Sequence, residues 1–133
     1  MTYQENANRK KLPLRIYVAG KYSGPDVISV LKNIGMGEKA CGDLFYNGYA
    51  PFCPWHDAGY VKHLCLKKLD KEMFYAASLA WLEVSDAILV ISGKGDGGGV
   101  DAEIKFAEER GIPVFDSMFD LKLWRDEFLK GEK

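Results

Sequence analysis

Apolar positions along the chain follow two patterns. The continuous short runs "RIYVAG" (15–20), "YAPF" (49–52), "DAILVIS" (86–92) and "IPVF" (112–115) lack a helical period. Runs of that length, rich in β-branched and aromatic residues, predict strands covered on both faces. Between them, apolar residues recur at helical spacing over 27–48, about 69–84, 100–110 and about 119–129. Pro25 suits the first turn of the first helix. Gly35, Gly37 and Gly42 predict that this helix is weakened or broken. Gly111 predicts the C-terminal stop of the third. Residues 53–68 show no period and are expected to be irregular. Residues 1–13 read as a flexible arm, which leaves one domain over 14–133.

Strands that alternate with helices predict an α/β fold with a doubly wound parallel sheet, strand order 2-1-3-4 and helices on both faces. Ligands in such sheets bind beyond the carboxyl ends of the strands. Three loops leave those ends: "GKYSGP" (20–25), "PWHDAGY" (54–60) and "SGKGDGGG" (92–99). All three are expected to open on one crevice.

Composition narrows the classes of function. The 133 residues carry a formal net charge of -1, with 47% hydrophobic and 28% charged residues. No strong field is available to attract a nucleic acid polymer or an anionic membrane. Cys41, Cys53 and Cys65 form an odd set without framework spacing, which favours a reducing, cytoplasmic setting. No run approaches the roughly 18 apolar residues of a membrane span, and the N-terminus lacks a signal-peptide core.

On a helix over 100–110, Val100, Ile104 and Ala107 centre an apolar stripe flanked by Phe106. Asp101, Lys105, Glu108 and Glu109 project on the other side. Glu103 falls at the edge of the buried face, one turn from the N-terminus. Desolvation there raises a carboxyl pKa, whereas the helix dipole and loop amides favour its ionised form. An acid at this place is either a dipole-complementing first-turn residue or a functional group. Gly93, Gly95, Gly97, Gly98 and Gly99 allow backbone amides to turn toward an anion or a sugar, and a flexible lid is the plain alternative. The run is neither a Walker loop nor the dinucleotide fingerprint.

The segments "RIYVAGKYSG", "GYAPFCP", "SLAWLEVSDAILVIS" and "GGGVDAEIKFAEERGIPVF" together resemble the nucleoside 2-deoxyribosyltransferase-like superfamily. That group includes the 2'-deoxynucleoside 5'-monophosphate N-glycosidases and uncharacterised phage and bacterial relatives. The resemblance spans about residues 14–116 and implies a flavodoxin-like, Rossmann-like sheet. It also implies that Glu103, four residues after Gly99, is a carboxylate nucleophile that attacks the anomeric carbon of a 2-deoxyribose. The glycosyl-enzyme so formed is resolved by water or by another base. Tyr17 or Tyr22 is implied as the aromatic residue lining the sugar, and Asp86 as mainly structural. The substrate-binding set is then Tyr17, Gly20, Lys21, Tyr22, Ser23, Trp55, His56, Asp57, Ser78, Ser92, Gly93, Gly98 and Gly99. Relatives commonly carry an aspartate near "SLAWL", where this chain has Ser78; Asp57 and Asp101 are the candidates to replace it. No cofactor is implied.

Cys53, His56, His63 and Cys65 fit no common zinc spacing, so no metal is expected. Trp55 and His56 are expected instead to stack on, or hydrogen-bond, a base. Residues 73–82, "MFYAASLAWL", are apolar nearly all round. Either a second copy of the chain covers the outer face, giving a homodimer or higher homo-oligomer, or Trp124 and Phe128 of the same chain do. Three readings of function stand: a glycosidic-bond enzyme acting through Glu103, a non-catalytic nucleotide-binding or sensing module, and, third, a structural protein of a phage or host complex.

Overall fold

The alternation of side chains along the central strands divides the core into two halves. The computed structural model describes residues 12–61, 63–64 and 68–131; most of the expected N-terminal arm, residues 1–11, lies outside them. Among the described residues, strands β1 (Arg15–Ala19), β2 (Ala50–Phe52), β3 (Ala87–Val90) and β4 (Val114–Phe115) form one sheet in the order β2-β1-β3-β4. All three pairings are parallel. The helices are α1 (Val27–Tyr46), the short α2 (Ala58–Val61), α3 (Lys71–Glu83), α4 (Gly99–Glu109) and α5 (Met118–Lys130).

Ile16, Val18, Ala87 and Leu89 pack on one side of the sheet with Leu44 of α1 and Leu121 of α5. Tyr17, Ala19, Ile88 and Val90 pack on the other with Leu82 of α3 and Val100 and Ala107 of α4. Successive strand residues point to opposite faces, so continuous apolar runs are what a doubly covered sheet requires. The expected doubly wound α/β architecture is therefore present, with the expected strand order. Among the described residues, no helix is long and apolar enough to cross a membrane.

Four local expectations are corrected. Helix α1 runs unbroken through Gly35, Gly37 and Gly42. Its N-cap is Asp26, whose carboxylate accepts the Ser29 N–H at 2.8 Å, so Pro25 precedes the cap rather than opening the first turn. Capping and burial of Leu44 outweigh the propensity cost of the glycines. Residues 54–61 are not irregular: Pro54–Asp57 form a 3-10 turn that continues into α2. Helix α3 begins at Lys71 because Asp70 caps it, accepting from Met73 N at 3.1 Å. The other boundaries move by a residue or two.

Gly37 has a packing role. A Cβ there would meet Trp55 Cε3, Cδ2 and Cζ3 at 2.8, 2.9 and 3.0 Å, against a ring that is itself buried. A Cβ on Gly42 would meet open space. Gly37→Ala is therefore expected to destabilise the fold by about 1–3 kcal/mol through overpacking. Gly42→Ala is expected to stabilise it by up to about 1 kcal/mol. Urea denaturation of both variants tests this; equal shifts in the same direction would refute the packing account.

Candidate active site

Tyr17 sits in the middle of β1, paired with Ile88 and Phe52 in the neighbouring strands. Its ring is fully buried on the face covered by α3 and α4 and stacks on Phe52 at 5.6 Å. Phe52 in turn stacks on Trp81 of α3 at 5.3 Å. Ser78 of α3 and Glu103 of α4, both half-buried, converge on the Tyr17 phenol. Strand and both helices thus bring together three residues that lie far apart in sequence.

The electrostatics of this group are unusual. Burial pushes the Glu103 carboxyl up from 4.5 to about 7, the Tyr17 phenol opposes that shift, and the Asp96 charge adds to it. Burial also raises the Tyr17 phenol far above its ordinary value, helped by the charges of Glu103 and Asp57. Tyr17 Oη and Glu103 Oε2 are near neighbours that close no hydrogen bond of ordinary length, and each is buried without a partner. An orphaned pair of polar atoms is costly in a core. Functional sites are where such groups are retained.

The loops that leave the strand ends touch one another. Lys21 N donates to Ser92 Oγ at 2.9 Å, which ties the end of β1 to the end of β3. Asn33 of α1 donates to the carbonyls of Tyr22 and Ser23, both at 3.1 Å, and so holds the "GKYSGP" loop from below. Lys21, Tyr22 and Ser23 are exposed. Gly20 is required by close approach: a Cβ there would lie 2.7 Å from Ile91, 2.9 Å from Trp55 and 3.0 Å from Ser92 Oγ.

The glycine-rich loop is held differently from the sequence expectation. Asp101 turns back from α4 and accepts Gly95 N at 2.7 Å and Gly97 N at 2.6 Å through its two oxygens. Asp96 accepts Gly98 N at 2.7 Å in an Asx turn. Gly93, Gly95 and Gly97 adopt positive φ, the conformation that makes this loop possible. Three amides expected to face a ligand are therefore bound to carboxylates of the chain itself. Both oxygens of Asp101, a candidate to stand in for the aspartate that relatives carry near Ser78, are engaged by the loop.

Trp55 is also placed differently. It is 4% exposed and wedged against Gly20 and Gly37, so the ring belongs to the core and offers no face for stacking. His56 is exposed. Asp57 is half-buried, acts on the Tyr17 phenol, and edges an apolar cleft of about 160 Å³ lined by Tyr60, Val61, Leu64, Met73 and Phe74. Gly99 opens α4 opposite Tyr75, whose Cε1 would lie 3.9 Å from an added Cβ. Asp86 lies at the far, amino end of the sheet and accepts Arg15 N at 2.7 Å. Cys53 is buried in the core, where its thiol and that of Cys41 interact, His63 is exposed, and Cys65 lies outside the described residues.

Sequence reasoning missed Asn33, Asp96 and the role of Asp101. The signal for Asp96 was a lone carboxylate two residues before Gly98, which is Asx-turn spacing. Asn33 left no signal, since nothing in a helical pattern says which loop lies above it. No protein-family model matches the chain, and no curated protein matches it.

Proposed function

We propose that this protein cleaves or transfers the N-glycosidic bond of a 2'-deoxynucleoside or its 5'-monophosphate, with Glu103 as nucleophile. The observation that carries this reading is the half-buried Glu103 carboxyl, one oxygen buried without a partner, set beside the Tyr17 phenol. Attack by Glu103 on the anomeric carbon breaks the bond to the base, which leaves with the bonding pair and takes a proton from solvent, and a glycosyl-enzyme remains. Water, or the N–H of a second base, then displaces the carboxylate and gives its proton back to solvent. Tyr17 is suited to hold the unattacking oxygen, and the apolar cleft beside Asp57 offers walls for a planar base. The resemblance of "GGGVDAEIKFAEERGIPVF" to deoxyribosyl-transferring proteins supports the same assignment. Incubation with a panel of deoxynucleosides and their monophosphates, with chromatography for released base, tests it. Release of no base from any of them would leave a nucleotide-binding or sensing module as the function.

The protein acts in the cytoplasm, without a cofactor, as a homo-oligomer. Met73, Tyr75 and Trp81 of α3 are about half exposed. Trp124 and Phe128 do not cover them, because Trp124 packs on Phe115 and Phe128 on Trp124, on the α5 side of the sheet. A second copy is the cover this face calls for. Light scattering is expected to return at least twice the 14.9 kDa chain mass, and Trp81→Glu to shift it toward the monomer. Monomer alone over a broad concentration range would refute this.

A further inference from the structure

Two nucleophilic side chains take no part in the proposed reaction: the thiols of Cys41, on α1, and Cys53, just past the end of β2. The register of the two elements brings them together. Strands β1 and β2 are parallel neighbours joined by α1, so the helix runs back against the strand direction. One turn along α1, from Gly37 to Cys41, advances about 6 Å. Two residues back along the extended chain, from Trp55 to Cys53, cover about 6.6 Å at most. The Trp55 ring lies on Gly37, with carbons 2.8, 2.9 and 3.0 Å from an added Cβ. Cys53 therefore comes opposite Cys41, and Cys41 packs against the core cluster that contains Cys53. The two thiols are each other's hydrogen-bond partners.

We propose that Cys41 and Cys53 are a peroxide-responsive redox site, which closes a reversible disulfide between α1 and the end of β2. The site is independent of the glycosidic chemistry. Cys53 is 4% exposed and Cys41 half-buried, so the pair lies at the edge of the core, within reach of an oxidant as small as hydrogen peroxide. The hydrogen bond from Cys41 draws the Cys53 thiol down from 9.0 to about 7; the His56 charge and the Trp55 N–H act the same way, against burial. That hydrogen bond, together with burial, keeps the Cys41 thiol protonated well above its ordinary range. A readily formed thiolate beside a protonated thiol is the arrangement of an attacking and a resolving cysteine. The Cys53 thiolate attacks one peroxide oxygen, the O–O bond breaks, and hydroxide leaves to become water; Cys53 is then a sulfenic acid, oxidised by two electrons. Cys41 gives up its proton and attacks the Cys53 sulfur. The S–O bond breaks, a second water leaves and the S–S bond forms. Cellular thiols reopen the bond by exchange.

Trypsin places Cys41 and Cys53 in one peptide, residues 40–62, and Cys65 in another, residues 63–67. The test treats the native full chain with hydrogen peroxide at a dose that consumes the thiols of the urea-unfolded chain. It then quenches in acid, alkylates in denaturant, digests and measures peptide masses. Peptide 40–62 is expected to take up no alkyl group and to be lighter than the dithiol by about 2 Da, the two hydrogens lost. Dithiothreitol before alkylation is expected to restore both thiols. The bond is expected to form at least roughly tenfold faster in the native chain than in urea, because the fold holds one sulfur against the other. Two alkyl groups on peptide 40–62, a bond to Cys65, or equal rates in the native and unfolded chains overturns the proposal, and none of these outcomes depends on a variant folding. In Cys41→Ser no resolving thiol remains, and Cys53 is expected to hold a sulfenic acid that dimedone traps. Absence of that adduct overturns the assignment of Cys53 as the attacking sulfur.

Discussion

Glu103→Gln is expected to lower turnover of a deoxynucleoside substrate by roughly a thousandfold or more, the scale seen when a nucleophile is removed. Ligand affinity is expected to change by less than about threefold, because the amide is isosteric and the interaction lost is one made in the transition state. Glutamine cannot form the acylal-type bond to the anomeric carbon or balance the positive charge that develops there. Ser78→Ala should cost far less, because a neutral hydroxyl carries no charge to balance the one that develops in the transition state. The measurement is turnover and binding for both variants on one substrate. A Glu103→Gln protein that keeps a tenth or more of its activity would remove Glu103 from the chemistry.

The same substitution is expected to stabilise the folded chain at alkaline pH. Burial raises the Glu103 pKa from 4.5 to about 7, so the folded state holds this proton more tightly than the unfolded state does. The stability linked to that proton is fully present below pH 4.5 and is lost as pH rises through about 7. The span between those values corresponds to about 3 kcal/mol at most. Glutamine is neutral throughout and escapes the penalty. Wild-type and Glu103→Gln proteins should unfold alike near pH 4, and the variant should be the more stable by up to about 3 kcal/mol near pH 8. Urea denaturation across that range checks this. A variant that is no more stable at pH 8 would mean that the carboxylate is well solvated, and its claim to be held in readiness would fail.

How far each part of the fold was legible follows from where its information resides. The strands could be read because burial on both faces leaves no polar position in the run, as in "AILV" of β3, buried throughout. The helix through Gly35, Gly37 and Gly42 was misjudged because propensity is local, whereas its compensation is tertiary: Leu44 in the core and Trp55 laid against Gly37. Trp55 itself looked like a stacking platform because a loop tryptophan beside histidine carries no mark of burial. Glu103 was legible because its projection onto the edge of an apolar stripe needs only the helical period. The glycine-rich loop was not, since its composition says that amides are free to turn but cannot say that Asp96 and Asp101 will receive them. Opposite-face projection placed Asp101 correctly on its helix and still missed that a first-turn carboxylate can reach back over the N-terminus.

The wedge of Trp55 between Gly20 and Gly37 also governs how the crevice can move. The indole comes from the loop after β2, lies against Gly20 just past the end of β1, and against Gly37 of α1. Two of the three crevice loops therefore share one anchor inside the core. Releasing either would require withdrawing an indole from packed surroundings, which brings the opening free energy of that wall close to that of the whole domain. The third loop has no such anchor; carboxylate-to-amide bonds at the surface hold it, and these break and re-form at far smaller expense. The proposed crevice thus has one wall that melts only with the protein and one that can fluctuate alone, and a ligand of that crevice would enter and leave past the glycines.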